Sequence, residues 1–180
     1  MKPLKPSTLL LGFAAGMSPF GMAIVVPTLE LFAQEFQASY STIQFIISAY
    51  LFGLATAQPM VGFLSDRIGR RPVMISGIFL FIFASIMCLV TDNLNTLIAF
   101  RFLQGMGGSV GTVMARAMIR DSMSSGDSAK PLSRVTAVMG MAPMIAPVVG
   151  AFAISLFGDP RSIFIVTLII GVIILIPVLF

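Results

Sequence analysis

Few groups in this chain can do chemistry: its 180 residues include no histidine, one cysteine, 11 Lys+Arg and 7 Asp+Glu. No carboxylates cluster at metal-ligand spacing, so the usual catalytic and metal-binding sets are missing, and neither an enzyme nor a bound cofactor is expected. Two places stand out. One is an arginine inside an apolar run, Arg101-Phe102-Leu103-Gln104-Gly105, continued by Met106-Gly107-Gly108-Ser109-Val110-Gly111. Facing lipid, such an arginine costs roughly 2.5–3.5 kcal/mol or more, so it faces a wet cavity or a partner. The alternative is that it lies about one and a half turns from the end of its segment and snorkels to the interface. The other is a charged cluster between two apolar runs, Gly62-Phe63-Leu64-Ser65-Asp66-Arg67-Ile68-Gly69-Arg70-Arg71-Pro72. There Gly62 would permit close helix approach, Gly69 a backbone turn and Pro72 a helix start. Asp66 is spaced to pair with Arg70, and Arg67, Arg70 and Arg71 suit anionic headgroups.

The elements that must carry these groups are membrane spans. With 57% hydrophobic residues, 10% charged and a mean hydropathy of +1.02, the chain is too apolar for a water-soluble domain. Its apolar blocks are long enough to cross a core of about 30 Å at roughly 1.5 Å per residue. The spacing predicts segments over 8–29, 42–64, 73–90, 96–119, 135–157 and 162–180, with a tight turn at Gly158-Asp159-Pro160. The first is too long for a signal peptide's apolar region and reads as a retained helix. Cys88, within the third, reads as a small apolar side chain. Phe180 ends an apolar run without a basic flank, so a piece of a longer protein is expected.

Alternate loops lie on opposite sides of the membrane, and the charges divide accordingly. Lys2, Lys5, Arg67, Arg70, Arg71, Arg116, Arg120, Lys130 and Arg134 fall on one side, in a set whose loops also hold Asp121 and Asp127. Arg161 with Glu30, Glu35, Asp92 and Asp159 falls on the other. The imbalance predicts a cytoplasmic N-terminus. The basic residues form no single tract, so the net charge of +4 does not point to nucleic acid.

The Gly62–Pro72 cluster resembles the signature loop between the second and third helices of the major facilitator superfamily, and Arg101-Phe102-Leu103-Gln104-Gly105 resembles its fourth-helix motif. Gly140-Met141-Ala142-Pro143-Met144-Ile145-Ala146-Pro147-Val148-Val149-Gly150 resembles the fifth-helix motif of its antiporters. The paired Ala-Pro steps, together with Arg116, Arg120 and Asp121 at the inner end of segment four, resemble the Bcr/CflA drug-resistance branch. Ala146 and Ala151 stand where the general antiporter pattern often has glycine.

The resemblance implies an all-α membrane protein of six transmembrane helices, the N-terminal half of a twelve-helix fold. Each half of that fold holds two inverted three-helix repeats, although no internal sequence repeat is visible here. It implies a proton-coupled exporter of small amphipathic or cationic compounds in the bacterial inner membrane, driven by the proton gradient. Its partners would be the lipid bilayer, a small-molecule substrate and a C-terminal half. Arg101, Gln104 and Gly105 would handle substrate or protons. Gly62, Asp66, Arg67, Gly69, Arg70 and Arg71 would form a gating loop, with Asp66 at the interface with the other half. Arg116, Arg120 and Asp121 would join Asp66 in a cytoplasmic charge network, Gly140, Pro143, Pro147 and Gly150 would shape helix five, and Phe20, Met22 and Met106 would offer adaptable apolar surface. Many members carry an acid where this chain has Ala23, and no carboxylate lies within the centre of a predicted span. The alternatives are a sugar or organic-acid transporter half and a non-transporting six-helix assembly protein.

Overall fold

The computed structural model describes residues 8–122 and 128–179; Lys2, Lys5, Asp127 and Phe180 lie outside them. The described residues are almost wholly helical. In chain order the helices are α1 (Thr8–Ala23), a 3₁₀ turn (Val26–Thr28), α2 (Leu29–Glu35), α3 (Tyr40–Ile43), α4 (Phe45–Ile68), α5 (Arg70–Val90), α6 (Leu94–Ser122), α7 (Ala129–Phe157) and α8 (Ser162–Leu179). Thr8–Glu35 and Tyr40–Ile68 each act as one span. With α5, α7 and α8 they make five stretches long and apolar enough to cross a membrane. α6 has the length, 29 residues, but not the apolarity, because it is the innermost helix and carries Arg101, Gln104 and a run of small residues.

The structure corrects several expected boundaries. The first span is interrupted: Pro27 has no N–H to offer the Ala23 carbonyl, and the chain tightens into a 3₁₀ turn held by Thr28 Oγ1 donating to the Val25 carbonyl at 2.7 Å. Asp66 and Arg67, expected in a loop, belong to the last turn of α4, which ends only at Gly69 with φ +98°. Similarly α6 and α7 extend into the segment expected to be a polar loop over 120–133. Pro143 and Pro147, expected to be able to kink helix five, leave α7 helical throughout.

Packing follows the glycines. α4, α6, α1 and α7 lie side by side in that order, with α5 against α6, and α8 against α5, α1 and α7. A Cβ on Gly53 would come within 2.0 Å of the Phe102 carbonyl oxygen, and one on Gly105 within 2.0 Å of the Tyr50 carbonyl oxygen, so α4 and α6 touch backbone to backbone. On the other face of α6 a Cβ on Gly111 would reach 1.8 Å from the Ala14 carbonyl oxygen of α1. Among the described residues nothing lies within 4 Å of a Cβ on Gly62, so none of the described helices makes the close approach expected at that position. We expect Gly105→Ala to destabilise the purified chain by about 1–3 kcal/mol through overpacking. Gly140→Ala, with open space at its Cβ, should be neutral or slightly stabilising; thermal unfolding in detergent compares the two.

Candidate functional site: a buried arginine layer

Two of the three apolar clusters among the described residues flank the polar groups of the bundle. One gathers Met17, Tyr50, Ile78, Phe81, Val110, Met114 and Ile174, the other Ile24, Phe32, Ile46, Cys88, Leu97 and Phe164. Along each helix the polar residues fall between them: Ser85 between Phe81 and Cys88, Arg101 and Gln104 between Leu97 and Val110, Thr167 between Phe164 and Ile174. These side chains form one layer. Arg101 Nη1 donates to Gln104 Oε1 at 2.6 Å and to the Gly21 carbonyl of α1 at 3.1 Å, and Nε donates to the Ile46 carbonyl of α4 at 3.3 Å. Gln104 Nε2 passes the network on to Ser85 Oγ of α5 at 2.7 Å and Thr167 Oγ1 of α8 at 3.2 Å. Thr167 donates onward to the Phe164 carbonyl, and Ser85 to the Phe81 carbonyl.

Arg101 and Gln104 are both 0% exposed, which settles the choice left open by the sequence: Arg101 neither snorkels nor faces a wet cavity, but is bound within the bundle. Tyr50 is its floor, with the guanidinium carbon 4.3 Å from the ring centroid and the phenol donating to the Ser18 carbonyl at 2.9 Å. Gly21 and Gly108 make the slot for that phenol, since a Cβ on either would come within 2.9 and 2.8 Å of its oxygen. The Gly21 carbonyl lies in the last turn of α1, where orphaned acceptors collect and a cation is welcome. Among the described residues Arg101 forms no ion pair, and its Nη2 has no hydrogen-bond partner. The charge is therefore stabilised by carbonyl dipoles, an amide and a π face.

The other expected site residues separate into distinct places. Arg70 bonds Asp66 at 2.7 Å, Asp121 at 3.0 Å and Ser65 Oγ at 2.5 Å, so the loop and the end of α6 are joined through Arg70. Arg116 and Arg120 are corrections: both are exposed, neither pairs with Asp66, and Arg120 Nε donates instead to the Arg116 carbonyl. Arg71, expected at headgroups, donates to the Val178 carbonyl at 3.1 Å and to the Leu179 carbonyl at the end of α8; Arg67 stacks on Phe63. Gly105 is a packing residue, as is Gly150, whose Cβ would come within 2.7 Å of the Ile24 carbonyl oxygen. Of the three apolar candidates Phe20 lines an apolar groove of about 470 Å³ with Phe13, Met17, Met141, Ile145 and Ile174, and Met22 and Met106 pack on the core.

Sequence reading missed Tyr50, Ser85 and Thr167. A signal was present, since each is a polar group within an apolar run and must find an internal acceptor or donor. Tyr50→Phe keeps the ring and loses one buried hydrogen bond, an expected cost of about 1 kcal/mol. Tyr50→Leu also strips the floor from the guanidinium and is expected to cost about 1–2 kcal/mol more. Unfolding of the two variants in detergent measures the difference.

The model of the Major Facilitator Superfamily matches residues 11–180. The uncharacterized MFS-type transporter YdgK of Bacillus subtilis is 37% identical over 163 residues, covering 90% of this chain and 40% of that protein. The multidrug resistance protein MdtL of Escherichia coli is 36% identical over 132 residues, covering 73% of this chain and 34% of MdtL. The crystal structure of a D-xylose–proton symporter superposes with a TM-score of 0.82 at 16% identity, covering 96% of this chain and 47% of that one, a likeness of fold alone. The chain thus spans well under half the length of the curated relatives it matches, and the helices form the N-terminal half of their fold. This integral membrane chain belongs to the major facilitator superfamily.

Proposed function

We propose that the chain is the N-terminal half of a proton-coupled exporter of small amphipathic or cationic compounds, working by alternating access against a second six-helix half. The observation that carries this reading is the buried Arg101 layer. A guanidinium inside a membrane span costs several kcal/mol and is retained where a transport pathway or proton relay uses it. Its field reaches beyond its own contacts in a low-dielectric bundle. It therefore favours an ionised acid nearby. Ala23 stands where many relatives of the drug-resistance branch carry that acid, so the carboxylate that exchanges the proton is assigned to the second half. Resemblance to a multidrug resistance protein at 36% identity supports drugs over sugars, since the D-xylose symporter shares only the fold. The arginines and Lys130 around Arg70 support a cytoplasmic placement of that end in a bacterial inner membrane.

The test is drug export from cells and proton-driven drug uptake by everted vesicles. The intact gene product should carry out both, and a protonophore should abolish both. Arg101→Ala is expected to lower turnover by at least about tenfold, the effect of losing about 1.4 kcal/mol of barrier stabilisation. Asp66→Asn, which breaks the pair with Arg70, should lower turnover by less, with normal expression in both. Export of neither drugs nor a sugar or organic acid, with a defined oligomer formed by the 180 residues alone, would replace this reading with that of an assembly protein.

A further inference from the structure

The charged contacts at the two ends of the bundle repeat one pattern. At one end α4 stops at a glycine of positive φ, Gly69 at +98°, and two arginines follow. Arg70 reaches the carboxylate of Asp121 at the end of α6, and Arg71 reaches the Val178 and Leu179 carbonyls of α8. At the other end α7 stops at Gly158, φ +70°, and Arg161 follows. Arg161 Nη2 lies 2.6 Å from Glu35 at the end of α2, and Nε donates at 3.1 Å to the carbonyl of Thr91, the residue that caps the end of α5. Asp92 adds a contact at 3.0 Å but is 91% exposed, and so contributes little.

Placed side by side, the contacts exchange the two halves of the chain. Residues between the second and third spans hold the end of the fourth span and the end of the sixth. The residue between the fifth and sixth spans holds the end of the first and the end of the third. That is the pattern of an inverted three-helix repeat, here legible in ion pairs although the sequence shows no repeat. In both cases a cation sits on a carboxylate from the opposite repeat, and Arg161 also sits on the carbonyl at the end of α5, where the helix dipole favours it.

We propose that Arg161 is a positioning residue equivalent to Arg70 and Arg71 together, a single-arginine clasp that ties the two repeats at the far end of the bundle and holds that end closed. The interior begins immediately behind it: Ser162, Ile163 and Phe164 are 1%, 0% and 0% exposed. Arg161 itself stacks over Phe36, the residue after Glu35, at 5.9 Å. A role in the transport cycle, where this end must open, rests on the function proposed above; the clasp itself does not.

The test places a reporter cysteine at Ser162 of the intact gene product, in a background where every native cysteine, Cys88 among them, is alanine. Labelling of the intact gene product by a membrane-impermeant maleimide is then timed on cells and on everted vesicles. Arg161→Ala or Glu35→Gln should speed labelling about tenfold by favouring local opening. Arg161→Lys, which keeps the charge but not the fork, should fall between. The exchanged pair Arg161→Glu with Glu35→Arg should return to within about threefold of the parent rate. A rate within about twofold of the parent in Arg161→Ala overturns the clasp, as does fast labelling that the exchanged pair fails to reverse. Labelling in everted vesicles alone would count against the proposed orientation and leave the clasp to be judged on those vesicles. Faster labelling with unchanged export turnover would overturn its part in the transport cycle.

Discussion

Burying a guanidinium with no carboxylate beside it constrains the whole bundle. The charge cannot be left to lipid, and among the described residues it is met by neutral groups, which must come from several directions at once. One helix can supply only a neighbouring side chain, and Gln104 is that neighbour. The carbonyls have to come from α1 and α4, and the π face from Tyr50. α6 must therefore lie in the centre with three helices pressed on it. The break in the first span belongs to the same arrangement. By ending α1 at Ala23, Pro27 leaves the Gly21 carbonyl in a terminal turn where Arg101 can take it.

Close approach is what lets these neutral partners reach. Gly53 and Gly105 bring α4 and α6 into backbone contact, and Gly111 does the same between α6 and α1. In lipid no hydrophobic effect pulls helices together, so small residues and internal polar bonds carry the association. The polar layer then separates two apolar clusters, and the far ends of the spans are tied by Arg70 and Arg71 on one side and by Arg161 on the other. Both terminal ties join a cation to a carboxylate of the other three-helix repeat.

The likeness to the sugar carrier is one of scaffold. The same six-helix half superposes on a D-xylose–proton symporter at low identity, so the helix arrangement does not choose the cargo. The apolar groove bearing Phe20 and the buried arginine layer are separate features of this half. On the proposed reading, selection of the cargo and exchange of the proton are shared with residues outside this chain.

Residue types and their periods alone determined that the chain lives in a membrane, that it is helical, and where most spans lie, because hydrocarbon admits no other way of satisfying the backbone. The Asp66–Arg70 pair and the turn at Gly69 were equally legible, being set by local spacing. Sequence could also single out Arg101 as costly to leave in lipid. It could not say that Tyr50, Ser85 and Thr167 would gather round it, nor that Arg70 rather than Arg116 or Arg120 would reach the opposing acid. Those partners lie between 16 and 66 residues from Arg101 in the chain, and only the packing of α4 and α5 on α6, and of α8 on α5, decides which polar atoms meet. The same holds for Arg161, whose bonds to Glu35 and Thr91 exist because the folded repeats bring three helix ends together.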